Sequence, residues 1–106
     1  MIFIIGPMFS GKADYALTLA ARDEILFDAE TLAADCGDLT GLADSICARY
    51  KVATASEIGG GIVPIDPDQR KYREAAGRLC RLIAERSDTV IRVFCGIPTT
   101  IKGGLK

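Results

Sequence analysis

The chain opens with five apolar residues in a row, Met1, Ile2, Phe3, Ile4 and Ile5, and then turns glycine-rich. An unbroken apolar run of this length, rich in β-branched side chains, predicts a buried strand of the kind found in parallel sheets. Residues 6–11 predict a loop. From Lys12 the period changes: Tyr15, Ala16, Leu19 and Ala20 fall at i, i+3, i+4 spacing on one helical face. Residues 22–36 are ambiguous. Residues 24–28 fit either a strand or a continuation of the helix, and 30–34 fit a short strand ending at Asp35. Residues 40–50 predict a helix with Leu42, Ile46 and Arg49 spaced along it. Residues 51–55 predict a compact strand, and 57–67 a glycine-rich loop.

The strongest helical pattern covers residues 66–86. Asp66 is placed to act as N-cap, Pro67 stands at the first helical position, and Gln69 stands at the third to close a capping box. Tyr72, Ala75, Ala76, Leu79, Leu82 and Ile83 form the apolar stripe. Gly77 interrupts it, which either marks close packing against another backbone or means nothing in particular. Residues 89–94 predict a strand. Gly96, Pro98, Gly103 and Gly104 predict a loose tail. Strands alternating with helices predict an α/β fold. The expectation is a small P-loop NTPase-like three-layer fold with a mostly parallel sheet of about four strands, all 106 residues forming a single domain.

Composition narrows the chemistry. The chain has no histidine, which excludes an imidazole base, nucleophile or metal ligand. Its formal charge is -1, without the basic excess of a general nucleic-acid-binding surface. The charge is unevenly spread. Residues 1–50 carry 3 basic and 8 acidic side chains, and residues 51–106 carry 10 and 6. A basic second half suits handling of an anion or packing against copies of the same chain. Cys36, Cys47, Cys80 and Cys95 form no CxxC pair. No apolar stretch reaches the roughly 18 residues that span a membrane, and no signal peptide is visible. A reduced, cytoplasmic chain is expected.

The clearest motif is Gly6-Pro7-Met8-Phe9-Ser10-Gly11-Lys12, which fits GxxxxGK. A loop between a strand and a helix can aim successive backbone N–H groups at a phosphate, and the helix N-terminus adds partial positive charge. Gly6 opens the motif, and Gly11 allows close backbone approach. Lys12 is placed to reach the β and γ phosphates of ATP or GTP. Ala13 stands where a Ser or Thr would ligate Mg²⁺, so Ser10 or an acidic residue would have to compensate. Asp28 and Asp35 each follow a candidate strand and could hold Mg²⁺ through water; Asp35 is the metal candidate carried forward. Glu57 follows the strand at 51–55, where α/β sheets place their sites. Gly59, Gly60 and Gly61 could close over a ligand. Arg70 and Arg73 stand near the start of their helix and could point at phosphates.

The loop spelling resembles that of type II thymidine kinases over eight residues. A wider resemblance begins at Thr54. The run Thr54-Ala55-Ser56-Glu57-Ile58-Gly59-Gly60-Gly61-Ile62-Val63-Pro64 resembles the Asn-Glu-Val-Gly-x-Gly-Ile-Val-Pro signature of the bifunctional adenosylcobinamide kinase/adenosylcobinamide-phosphate guanylyltransferase family. Arg70, Tyr72, Arg73, Glu74 and Gly77 fall in register with that family's Arg-x-Phe-Arg-Asp and following glycine. Val93-Phe94-Cys95-Gly96-Ile97-Pro98, with Lys102, resembles its final strand and Gly-x-Pro ending. Asp35-Cys36 corresponds to its Asp-Cys. The likeness is tight over 52–102 and good over 1–12.

The resemblance implies a P-loop kinase fold that phosphorylates a corrinoid hydroxyl, with Lys12 on the phosphates, Asp35 anchoring Mg²⁺ and Glu57 orienting the acceptor or a metal-bound water. It also implies a homo-oligomer, a trimer being favoured. The family's guanylyl transfer runs through a histidine, so that activity is not expected here. Ser56 replaces the family's Asn, and Ala13 its loop Ser. The alternative reading is a non-enzymatic regulatory or assembly subunit that keeps the fold without turnover.

Overall fold

The computed structural model describes residues 1–7, 10–34, 37–56 and 67–103. The N-terminal apolar run forms β1 (Ile2–Gly6). Its continuous hydrophobicity is explained by its place, because it is paired on both edges and covered on both faces. β1 runs parallel to β3 (Val52–Ser56) on one side and to β4 (Thr89–Phe94) on the other. A two-residue strand, β2 (Ile25–Leu26), lies outside β3, and β5 (Ile97–Lys102) lies antiparallel outside β4. The sheet order is β2-β3-β1-β4-β5.

Three helices complete the layers. α1 (Lys12–Leu19) covers one face, where Ala16, Tyr15 and Leu19 meet Ile4, Val52, Ile91 and Val93. α2 (Leu39–Arg49) and α3 (Pro67–Arg86) cover the other, where Ala43, Ile46, Ala76, Leu79 and Ile83 meet Phe3, Ala53, Ala55 and Val90. Asp38 caps α2 by accepting a hydrogen bond from the Gly41 N–H at 3.0 Å. At the far end of α3 the Ser87 hydroxyl donates to the Ile83 carbonyl at 2.7 Å, and the Lys102 amine donates to the carbonyls of Ala84 and Glu85. Carbonyls that a helix leaves unpaired in its last turn are satisfied this way.

The described elements depart from expectation at three places. Residues 97–102 are a fifth strand rather than a loose tail. Pro98 is tolerated because β5 is an edge strand, where a missing N–H need not break a ladder. Residues 24–28 are neither a full strand nor a continued helix: a 3₁₀ turn at Arg22–Glu24 leads into the short β2. The expected strand at 30–34 is a 3₁₀ helix, Ala29–Ala33. Asp28 precedes it in the left-handed region at φ 54°, which ends the extended conformation, and Ala29 and Ala33 then bury themselves in the core shared with α3. Of the two readings of Gly77, the structure favours the plainer: it is exposed, and a Cβ there would meet nothing within 4 Å among the described residues. The expected N-cap Asp66 and the glycines at 59–61 lie outside the described residues.

This topology creates the crevice that matters. From β1 the chain goes out to β2, returns to β3 beside β1, and then crosses with α3 to β4 on the opposite side of β1. The strand order therefore reverses next to β1. In open α/β sheets the carboxyl ends of strands at such a reversal are where ligands bind. The 6–12 loop leaves β1 at that end.

Candidate functional site

Gly6 ends β1 where a side chain has no room. A Cβ on it would stand 2.3 Å from the Val93 carbonyl oxygen and 2.7 Å from the Ser10 hydroxyl. Gly11, at φ 88°, makes the turn into α1 in a left-handed conformation that favours glycine. Gly11 occupies the N-cap position and supplies no side-chain cap. The Tyr15 N–H donates to the Gly11 carbonyl at 3.0 Å, so the helical ladder begins there and, among the described residues, the N–H groups of the first turn are left for another acceptor. α2, with Asp38 as its own acceptor, shows the contrast.

Two polar side chains at this helix start are buried. Ser10 is 4% exposed, and its hydroxyl has no hydrogen-bond partner among the described residues. Lys12 is 7% exposed, and its amine donates to the Pro7 carbonyl at 3.2 Å, folded back over the loop. A buried ammonium and an orphaned buried hydroxyl are costly in a folded chain. Both are accounted for if an anion completes their coordination. The residues therefore fit a polyphosphate: donors, a cation and a helix N-terminus converge, with Asp14 in the first turn as the opposing charge.

A cavity of about 420 Å³ opens on this loop, lined by Ser10, Gly11, Lys12, Ala13, Asp14, Phe27, Asp28 and Thr54. Asp28 reaches it by an unusual backbone. Its N–H donates to the Thr54 hydroxyl at 3.1 Å, and its carbonyl accepts from the Thr31 N–H at 3.1 Å and the Thr31 hydroxyl at 2.8 Å. These contacts hold the left-handed conformation in place, with Asp28 among the residues that line the cavity. A carboxylate that follows a strand and faces a phosphate loop is suited to hold Mg²⁺ through water. Ala13 on the same wall offers no hydroxyl to the metal. Among the described residues no three His, Cys, Asp or Glu side chains cluster as a metal cage. Mg²⁺ in nucleotide sites commonly relies on one or two carboxylates plus the phosphates themselves.

The sequence candidates are distributed as follows. Gly6, Ser10, Gly11 and Lys12 come together in the loop. Asp28, weighed against Asp35 as the strand-end carboxylate, joins them. Asp35 and Glu57 lie outside the described residues, and the strand expected to carry Asp35 is a 3₁₀ helix. Ser56, which precedes Glu57, lies opposite Gly6 in the β1–β3 pairing. Arg70 and Arg73 stand in the first two turns of α3 and are not part of the cavity wall. Thr54 was missed as a site residue; its alternation signal is that of any strand position, and its role comes from the partner 26 residues away.

Fold and loop together define a small three-layer α/β protein of the P-loop type. Residues 23–101, well over half of the chain, match the CobU family, described as cobinamide kinase / cobinamide phosphate guanyltransferase, and the chain belongs to that family. The bifunctional adenosylcobalamin biosynthesis protein CobP of Pseudomonas aeruginosa is 36% identical over 52 residues, a stretch that covers 49% of this chain and 30% of the relative. The matched stretch is thus under a third of that relative's length. No helix among the described residues is long and apolar enough to cross a membrane.

Proposed function

We propose that the chain binds the phosphates of ATP or GTP in its 6–12 loop and serves cobalamin biosynthesis by transferring a phosphoryl group to a corrinoid hydroxyl. The observation that carries this reading is the buried Ser10 hydroxyl, without a hydrogen-bond partner among the described residues, near buried Lys12 at an uncapped helix start. Family membership supplies the acceptor class. In this reading Lys12 leaves the Pro7 carbonyl for the β and γ phosphates. The first-turn N–H groups and Ser10 complete the cradle, and Asp28 orients Mg²⁺ through water. Asp35 and Glu57 remain candidates for the metal and the acceptor. Such catalysis works by positioning and charge neutralisation rather than by covalent chemistry. Guanylyl transfer through a histidine is outside this chain's means.

A second reading, a non-enzymatic subunit that retains the site, is favoured by one observation: Ala13 stands on the cavity wall where a metal-ligating hydroxyl would be. One assay separates the two. The chain is incubated with cobinamide, Mg²⁺ and ATP or GTP, and the corrinoid is analysed by chromatography and mass spectrometry. Phosphorylated cobinamide that rises further with Ala13→Ser supports the kinase. Nucleotide binding without product from either protein supports the subunit.

We also propose that the chain works as a homo-oligomer. Phe94, Ile97 and Ile101 form an exposed apolar strip on the β4–β5 hairpin at the sheet edge.

A further inference from the structure

The reading above gives the β4–β5 hairpin no part in phosphate binding, although its turn touches the loop. All six residues of β5 are exposed, so burial of its side chains does not fix this strand. Cys95 at φ 52° and Gly96 at φ 74° are both left-handed, as a two-residue type I′ turn requires, and Phe94 pairs directly with Ile97 across it. The Gly96 N–H donates to the Ser10 carbonyl at 2.8 Å. A Cβ on Gly11 would stand 3.4 Å from Gly96 Cα, so two glycines pass closely here. The loop's other end meets the same hairpin, since Gly6 lies against the Val93 carbonyl. The far end of β5 is fixed independently by Lys102 on the last turn of α3.

We propose that the Cys95–Gly96 turn positions the loop for polyphosphate, with Gly96 as the positioning residue. The peptide unit is planar and trans, so its C=O and N–H point in opposite directions. Pinning the Ser10 carbonyl toward the hairpin therefore turns the Gly11 N–H away from it, and Gly11 is held in the left-handed conformation that starts α1. This inference rests on the reading of the 6–12 loop as a phosphate site.

The test pairs titration of ATP and inorganic tripolyphosphate with amide hydrogen exchange of the ligand-free chain. Tyr15 is the reporter, because its N–H donates to the Gly11 carbonyl. Gly96→Val opposes φ 74° through backbone strain, since a Cβ there meets nothing within 4 Å. It is expected to weaken both ligands by about tenfold and to speed Tyr15 exchange by a similar factor. Gly96→Asn, which tolerates the left-handed region, should restore both readouts to within about twofold. Lys102→Ala loosens the other end of β5 and should lower the melting temperature without moving either readout. If Gly96→Val does not fold, Gly96→Ala replaces it, with an expected effect of about threefold in the same direction. Should Gly96 variants behave as Lys102→Ala does, the inference is overturned. If the wild-type chain binds neither ligand, the phosphate reading falls, and faster Tyr15 exchange still decides whether the turn holds the loop.

Discussion

Cys80 shows how one side chain reports on the core around it. The thiol sits on α3, largely buried, and its pKa is pushed up to about 12 by burial first and by the Glu30 carboxylate second. Burial likewise pushes up the Tyr72 hydroxyl, with Glu30 again contributing. In the unfolded chain the thiol titrates near its ordinary value of 9.0. Between about 9 and about 12 the unfolded chain therefore loses a proton that the folded chain keeps. The stability this thiol contributes is complete below the lower value and is lost as pH rises toward the upper one. Melting temperatures measured from pH 8 to 11 should fall, and Cys80→Ala should fall less steeply than the wild type. Equal slopes would mean that Cys80 is not held as a buried thiol. At this same scale the loop was readable in advance, because glycines and a lysine at fixed spacing between an apolar run and a helical pattern are a local signal. Asp28 was readable only as one of two carboxylates. What puts it beside the cavity is a left-handed backbone fixed by Thr54 and Thr31, and a contact that spans 26 residues leaves no mark on the local pattern.

Among the elements, α3 was the most legible. A long apolar stripe and a proline at the first position fix a helix almost without tertiary help, and the observed Pro67–Arg86 agrees. β4 at Thr89–Phe94 was equally clear. β5 was not, because Pro98 and its flanking glycines read as loop, and only its place at the sheet edge makes a proline acceptable there. The 3₁₀ helix at Ala29–Ala33 lies in a stretch that reads as ambiguous and also fits a short strand, because five residues cannot show a period when neighbouring packing decides the outcome. Gly77 yields a prediction for α3. It is exposed with open space at its Cβ position, so Gly77→Ala should remove a backbone-entropy cost and add about 0.8–1 kcal/mol of stability in urea unfolding. A loss of stability instead would reveal a second backbone packed on that face.

For the whole molecule, the alternation of strands and helices was enough to predict a three-layer α/β arrangement. The fifth strand and the placement of β1 between β3 and β4 come from pairing, which residue patterns do not encode. Size bears on assembly, since a chain of 106 residues buries a modest fraction of its surface. Phe94, Ile97 and Ile101 are 53%, 66% and 57% exposed along one hairpin. Sedimentation equilibrium over a hundredfold concentration range should therefore give a mass above the 11.3 kDa of one chain, and Ile97→Lys should return it toward that value. A constant mass of one chain would show that the strip is left bare.

If buried Lys12 and Ser10 at the uncapped start of α1 hold a nucleotide's phosphates, the chain binds ATP or GTP through them. Isothermal titration of ATP and GTP, with Mg²⁺, into the wild-type chain and Lys12→Ala tests it most directly. Binding to the wild type is expected, and the substitution should weaken it by at least about tenfold, or 1.4 kcal/mol, while the melting temperature of the ligand-free chain is kept. Equal affinity of the two proteins, or no binding by a folded wild-type chain, would contradict it.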